Sequence, residues 1–197
     1  MKQRIHKIKI IALIIVVSVF PFTQSMFEKN SIVSLLMQSF GIILLIIGAF
    51  GRAWASAYIS GFKNKKLITT GPYSISRNPL YFFSFLSFFG AGLVFRSILL
   101  TFFFTLLFFI MHWPTILQEE RKLKRIFGRP FESYMDSVAR FFPKSLEVEH
   151  PKIISFSSKH FTKAIMDCSL ILSVIFFANI LEWLHLHSLL PILYYLP

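Results

Sequence analysis

The chain has 197 residues, of which 55% are hydrophobic, 25 are phenylalanine and only 15% are charged. A soluble domain of this length carries about a quarter charged residues, and here the apolar residues cluster in long runs, which argues against a large soluble core and for a polytopic membrane protein. The formal net charge is +12, yet the basic residues flank apolar runs and form no stripe on a soluble face, so the charge reads as membrane orientation and lipid headgroup contact, with no nucleic-acid role.

The first apolar segment runs from about Ile8 to Phe22, behind the basic start "MKQRIHK". A basic start and apolar middle also fit a secretory signal, but no small-x-small cleavage site lies near Phe22–Met26, so a retained span is expected. The second segment is Ile32 to Phe50. Ser34, Gly41, Gly48 and Ala55 recur every seven residues there, a small-residue stripe that lets helices approach closely. The third segment is about Leu80 to Phe95 and the fourth about Ile98 to Leu117, with Arg96-Ser97 as a tight hairpin turn between them. The fifth begins near Ala164 and runs to about Leu181. Several fall short of the roughly 20 residues that span a hydrocarbon core. Cys168 is the single cysteine, so no intramolecular disulfide forms and no Cys/His zinc spacing exists. Glu182, His185 and His187 beside Trp183 read as an interfacial belt and not as a metal site.

The expected fold is all-α, a polytopic membrane helix bundle of about five spans. Placing the N-terminus inside puts nineteen of the 21 Lys and Arg residues on one side and leaves only Lys29 and Arg96 outside. That bias predicts an integral, multi-pass protein with a cytoplasmic N-terminus and with segments 61–79 and 118–145 on the same cytoplasmic face.

In segment 118–143, Leu123, Ile126 and Phe127 share one helical face, and "GRP" at Gly128–Pro130 breaks that helix. Phe131, Tyr134, Met135 and Val138 share a face of a second helix. Two amphipathic helices with basic outer faces suit a cytoplasmic cap on the membrane surface. Glu119 and Glu120 stand where the fourth span ends. Adjacent helical residues point about 100° apart, so one carboxylate faces a ligand while the other pairs with nearby cations; Glu120 with Lys124 is the plain i,i+4 alternative.

The stretch "GPYSISRNPLY", Gly71 to Tyr81, joins a lysine cluster to the third span. Asn78-Pro79 marks a helix start, with Asn78 as N-cap and Pro79 at the first helical position. The free N–H groups of such a start bind carboxylates, and Arg77 would add a bidentate contact.

"LITTGPYSISRNPLY", followed after a helical hairpin by "EERKLKRIFGRPFESYMDSVARFFP", resembles the isoprenylcysteine carboxyl methyltransferase and phospholipid methyltransferase family of integral membrane enzymes. The family pattern reads G-x-Y-x-x-x-R-H-P-x-Y, then E-E-x-x-L, then F-G-x-x-Y-x-x-Y and an R-x-x-P-like ending. Gly71, Tyr73, Arg77, Pro79 and Tyr81 match the first part, Glu119, Glu120 and Leu123 the second, and Phe127, Gly128, Tyr134, Arg140 and Pro143 the rest. The match covers roughly Gly61 to Pro143. Asn78 stands where the family frequently has histidine; Asn caps and hydrogen-bonds but does no proton chemistry near neutral pH.

The resemblance implies S-adenosylmethionine as cofactor, held by Lys65, Lys66, Leu67, Ile68, Tyr73, Asn78, Pro79, Leu80, Tyr81 and Glu119. It implies Arg77, Tyr81 and Glu120 as catalytic residues, with no metal. The acceptor would be a membrane lipid or lipidated molecule, with a carboxylate or an amine as nucleophile. Residues 1–60 would be N-terminal helical spans, 61–145 the cofactor-binding core and 146–197 an extension with a further span, all in one membrane domain. Two rivals remain. Sterol-type membrane reductases using NADPH carry a similar turn but an acidic-Cys-Lys-Tyr-Gly pattern where this chain reads "EERKLKRIFG", without cysteine. A non-catalytic lipid-binding membrane protein would also accommodate Asn78.

Overall fold

The computed structural model describes residues 20–27, 31–145, 147–150 and 158–197. Six helices carry it: α1 (Ile32–Ile59), α2 (Pro72–Ile75), α3 (Pro79–Val94), α4 (Ile98–Phe127), α5 (Arg129–Ser137) and α6 (Ser158–Leu186). Two three-residue strands, β1 (Thr23–Ser25) and β2 (Tyr194–Leu196), pair in parallel with Thr23 opposite Tyr194.

Among the described residues three helices are long and apolar enough to cross a membrane: α1, α4 and the Thr162–Leu186 part of α6. The 16 residues of α3 are apolar too, but at 1.5 Å per residue they reach about 24 Å, short of the roughly 30 Å hydrocarbon core. Most of the first expected segment, 8–19, lies outside the described residues. Leu35, Leu36, Phe40 and Phe50 on α1 and Leu170 and Phe176 on α6 are all exposed, as lipid-facing side chains are and a soluble surface this apolar is not.

The fourth segment does not end near Leu117. Helix α4 continues unbroken to Phe127, because residues 118–127 are nearly all strong helix formers and contain neither Gly nor Pro. The first of the two expected amphipathic helices is thus the polar end of the fourth span. Gly128, at φ +57, stops it and starts α5, with Pro130 inside the first turn.

The chain forms two compact units, and each of the four long helices contributes residues to both. One comprises residues 1–43, 88–111 and 173–197. In it Gly41 packs so tightly on α3 that an added Cβ would sit 2.7 Å from the Val94 nitrogen and 2.8 Å from the Gly90 oxygen. Arg96 takes φ +53 in the turn between α3 and α4, and its guanidinium pairs with Glu182 at 2.8 Å. His185 contacts the Pro21 carbonyl, and the His187 ring stacks on Trp183. Among the described residues no group of three or more His, Cys, Asp or Glu is placed to hold a metal ion.

The other unit comprises residues 44–87 and 112–172. Its core sets Ala49 and Ala53 of α1 against Ala164 and Cys168 of α6, with the Cys168 thiol donating to the Ala49 carbonyl. Arg52 bonds both Ser84 and Asp167, tying α1 to α3 and α6. Gly48 lies against Phe83 and Ser87 of α3. All four members of the small-residue stripe, Ser34, Gly41, Gly48 and Ala55, are buried. Phe82 and Phe85 of α3 meet Phe141 and Phe142 edge-on.

Candidate functional site

The site lies in the second unit and is built around the turn before α3. Gly71 has φ +63, and its N–H donates to the Glu149 carbonyl at 2.7 Å. A side chain there would strike the Tyr58 ring, so glycine is required twice over, by conformation and by space. Pro72 then opens the four-residue α2, which points Tyr73 into a buried position. The Tyr134 hydroxyl of α5 donates to the Tyr73 carbonyl at 2.6 Å and pins α5 onto this turn.

Ser76 is extended and ties the turn to residue 141 and to the start of α3: its hydroxyl donates to the Phe141 carbonyl at 3.0 Å and accepts from the Asn78 N–H at 3.2 Å. The Asn78 carbonyl accepts from the N–H groups of Tyr81 and Phe82, both at 3.0 Å. Asn78 therefore starts α3 with its backbone. Its side chain does not cap the helix as expected: the amide donates to Glu120 at 2.9 Å and to the Arg140 carbonyl at 3.0 Å. Pro79 has no N–H and Tyr81 and Phe82 are engaged, so the expected row of free N–H groups shrinks to Leu80.

Glu119 and Glu120 diverge, as their helical spacing requires. Glu120 is buried in a cluster of cations: Arg140 Nε lies 2.9 Å from Oε2, and Arg77 Nε lies 3.5 Å from Oε1, an ion pair without a hydrogen bond. Arg77 also donates to the Met135 carbonyl. The i,i+4 alternative does not form, since Lys124 pairs with Glu132 at 2.9 Å. Glu119 faces the other way and accepts from Lys63 and from the Tyr81 hydroxyl, each at 3.0 Å.

A cavity of about 110 Å³ opens between these groups. Of the residues expected at a cofactor site, Lys66, Leu67, Ile68, Tyr73, Asn78, Pro79, Leu80, Tyr81 and Glu119 line it, together with Arg77. Lys65 is not among its lining residues, and neither is Glu120. Ile59, Lys63, Asn64, Lys122, Leu123, Phe127, Phe131 and Tyr134 also line it and are not among the residues expected there. Leu123 and Phe127 stand four and eight positions after Glu119 on α4, a helical spacing that was there to be read.

The Tyr73 hydroxyl is buried without a hydrogen-bond acceptor. Burial holds its phenol far above the usual tyrosine range, with Tyr134, Glu119 and Tyr81 adding to the shift. Burial raises Tyr134 as well, against the pull of Arg77. Both are neutral donors at physiological pH, and leaving a buried donor unpaired costs about 1–3 kcal/mol. The cavity thus presents one carboxylate, the cations Lys63, Lys66, Arg77 and Lys122, aromatic rings, apolar side chains and a phenol without an acceptor.

The family model described as phospholipid methyltransferase matches residues 30–130. The chain belongs to the phospholipid methyltransferase family. The match takes in α1 to α4 and with them the Asn78 turn, Tyr81, Glu119 and Glu120. The chain is also 36% identical over 112 residues to the nickel-cobalt-cadmium resistance protein NccN of Alcaligenes xylosoxydans xylosoxydans. It is 37% identical over 112 residues to the cobalt-zinc-cadmium resistance protein CzcN of Cupriavidus metallidurans. Each alignment covers 57% of this chain, and 52% and 51% of the respective relatives; the chain spans about half the length of the curated relatives it matches. No solved structure matches. This phospholipid methyltransferase family member is a membrane protein on both counts, its family and its three long apolar helices.

Proposed function

We propose that the chain is an S-adenosylmethionine-dependent methyltransferase whose acceptor is a lipid or lipidated molecule presented from the membrane. The observation that carries this reading is the cavity wall formed by Tyr73, Asn78, Pro79, Leu80, Tyr81 and Glu119, which gathers from three helices the set that the family resemblance implies.

The donor set suits that cofactor. The Glu119 carboxylate would hold its ammonium or ribose hydroxyls. The rings of Tyr73 and Tyr81 offer faces to a sulfonium or an adenine, and Ile68, Leu80 and Leu123 give the adenosine apolar walls. The unpaired Tyr73 hydroxyl supplies a donor for a ligand acceptor. When bound, S-adenosylmethionine supplies a methyl group activated by the adjacent sulfonium. The chain's own part is alignment, which carries much of the rate of an in-line displacement.

Glu120 fits a positioning role better than the role of a base. Two donors, Asn78 and Arg140, already occupy its oxygens and Arg77 adds an ion pair, so it fixes Asn78 and, through Asn78, the start of α3. Arg77 belongs to the same frame. Tyr81 and Glu119 are then the residues nearest the chemistry. A carboxylate acceptor needs no base at all, and the loss of charge as it meets a sulfonium favours a dry site at the membrane edge. An amine would have to arrive deprotonated. The basic-residue bias supports a cytoplasmic position for this site. The relatives' names suggest a setting of resistance to nickel, cobalt, zinc or cadmium, in which methylation would alter the membrane itself.

Purified protein mixed with S-adenosylmethionine carrying a labelled methyl group and with membrane lipid extract tests the reading. Label should enter the lipid fraction, and Glu119→Ala and Tyr81→Ala should abolish transfer. Binding of NADPH in place of S-adenosylmethionine would establish the reductase instead. Binding of lipid with neither cofactor would establish the non-catalytic reading.

A further inference from the structure

A second cavity, of about 200 Å³, lies beside α4 and α5 and is separate from the lining of the first apart from the helices they share. Leu117, Glu120, Arg121 and Lys124 form one of its walls. These positions are spaced i, i+3, i+4 and i+7, a single face of α4. Met135 of α5 and Arg140 complete it. Three cations therefore surround a cavity whose one carboxylate is already matched from behind by Arg77.

The cations have donors to give. Arg140 commits Nε to Glu120, which leaves four of the five guanidinium N–H groups, and its side chain is 40% exposed. Lys124 meets Glu132 in an exposed surface pair, an interaction of little net worth that a better anion displaces. Arg121 is exposed. Leu117 and Met135 make the remainder apolar. Two apolar side chains beside three cations, at the end of a membrane-crossing helix, match a group with a charged head and a hydrocarbon body.

We propose that this cavity binds a phosphate group, supplied by the headgroup of an anionic phospholipid. Arg121, Lys124 and Arg140 hold the phosphate oxygens, and Leu117 and Met135 contact the adjoining glycerol and acyl carbons. Because Arg140 also holds Glu120, the bound headgroup braces the cluster that fixes Asn78. The site stands independently of the methyltransferase reading, since it uses none of the residues proposed to hold S-adenosylmethionine.

The test places the full chain in nanodiscs of phosphatidylcholine doped with phosphatidylglycerol, then counts retained lipid by native mass spectrometry. Wild type should retain phosphatidylglycerol selectively, and the Arg121→Gln/Lys124→Gln double variant should retain it roughly tenfold less or worse. Arg125→Gln, which removes a charge from the same helix outside the cavity, should retain it as wild type does. A second arm titrates inorganic phosphate against thermal stability in pure phosphatidylcholine nanodiscs. Stabilisation there that the double variant loses, without selective lipid retention, assigns the site to free phosphate. Equal losses in Arg125→Gln and the double variant, or no response to either probe, overturn the proposal.

Discussion

The Asn78 side-chain amide donates to the Glu120 carboxylate at 2.9 Å, with both residues more than nine-tenths buried. This bond joins the first turn of α3 to the polar end of α4, and it explains how asparagine serves where the family frequently has histidine. The position needs a neutral donor facing a carboxylate, and either residue provides one. Asn78→His should therefore fold and keep cofactor binding. Asn78→Ala should lose about 1–3 kcal/mol, the cost of a buried acceptor left short of a partner. Asn78→Asp should lose more, since it sets two carboxylates together out of water. Thermal denaturation of the three variants in one detergent gives the order.

The two adjacent glutamates should separate stability from function. Glu120→Gln leaves Arg77 and Arg140 without their counter-charge, and breaking a buried ionic cluster from one side costs about 3–5 kcal/mol. Glu119→Gln touches a half-exposed pair with Lys63, so its stability should shift by about 1 kcal/mol at most. Binding of S-adenosylmethionine should fall in Glu119→Gln while the melting temperature holds. Equal destabilisation by the two variants would contradict the divergent geometry.

Much of this was legible in the sequence, and the reasons differ from place to place. The divergence of Glu119 and Glu120 follows from helical geometry alone, and the burial of Gly41 and Gly48 follows from a seven-residue spacing. The glycine and prolines of "GPYSISRNPLY" mark the turn because few backbones tolerate them elsewhere. The side-chain partner of Asn78 was not legible, because Glu120 and the Arg140 carbonyl reach it from 42 and 62 residues away. Local propensity favours a cap at that position, and tertiary contacts overrode it. The length of α4 was not legible for another reason: hydropathy ends at Leu117, but helix formation depends on the backbone, which nothing interrupts before Gly128.

Tyr73→Phe should act in opposite directions on two measurements. Removing an unpaired buried hydroxyl should leave the ligand-free protein as stable as wild type or more so. Affinity for S-adenosylmethionine should drop, because the donor that the cavity offers has gone. Isothermal titration beside a melting curve reads both. A loss of stability in the absence of cofactor would show that the hydroxyl has an acceptor in solution.

Tyr73 and Tyr134 should also make the protein sensitive to alkali. Both phenols have folded-state pKa values raised above the ordinary one, mainly by burial. The sign follows from linkage: a group that binds its proton more tightly when folded contributes fully below its unfolded pKa. That contribution is lost as pH rises from the unfolded value, about 10, toward the folded one. The melting temperature should thus decline above roughly pH 10. Lysines titrate in the same range, so the comparison that isolates the phenols is Tyr134→Phe against wild type. The variant should lose about 0.5–1.5 kcal/mol at neutral pH with its hydrogen bond to the Tyr73 carbonyl, yet decline less steeply above pH 10. Parallel decline of the two proteins would place the Tyr134 hydroxyl in contact with water and would undo the pinning of α5 on the Gly71 turn.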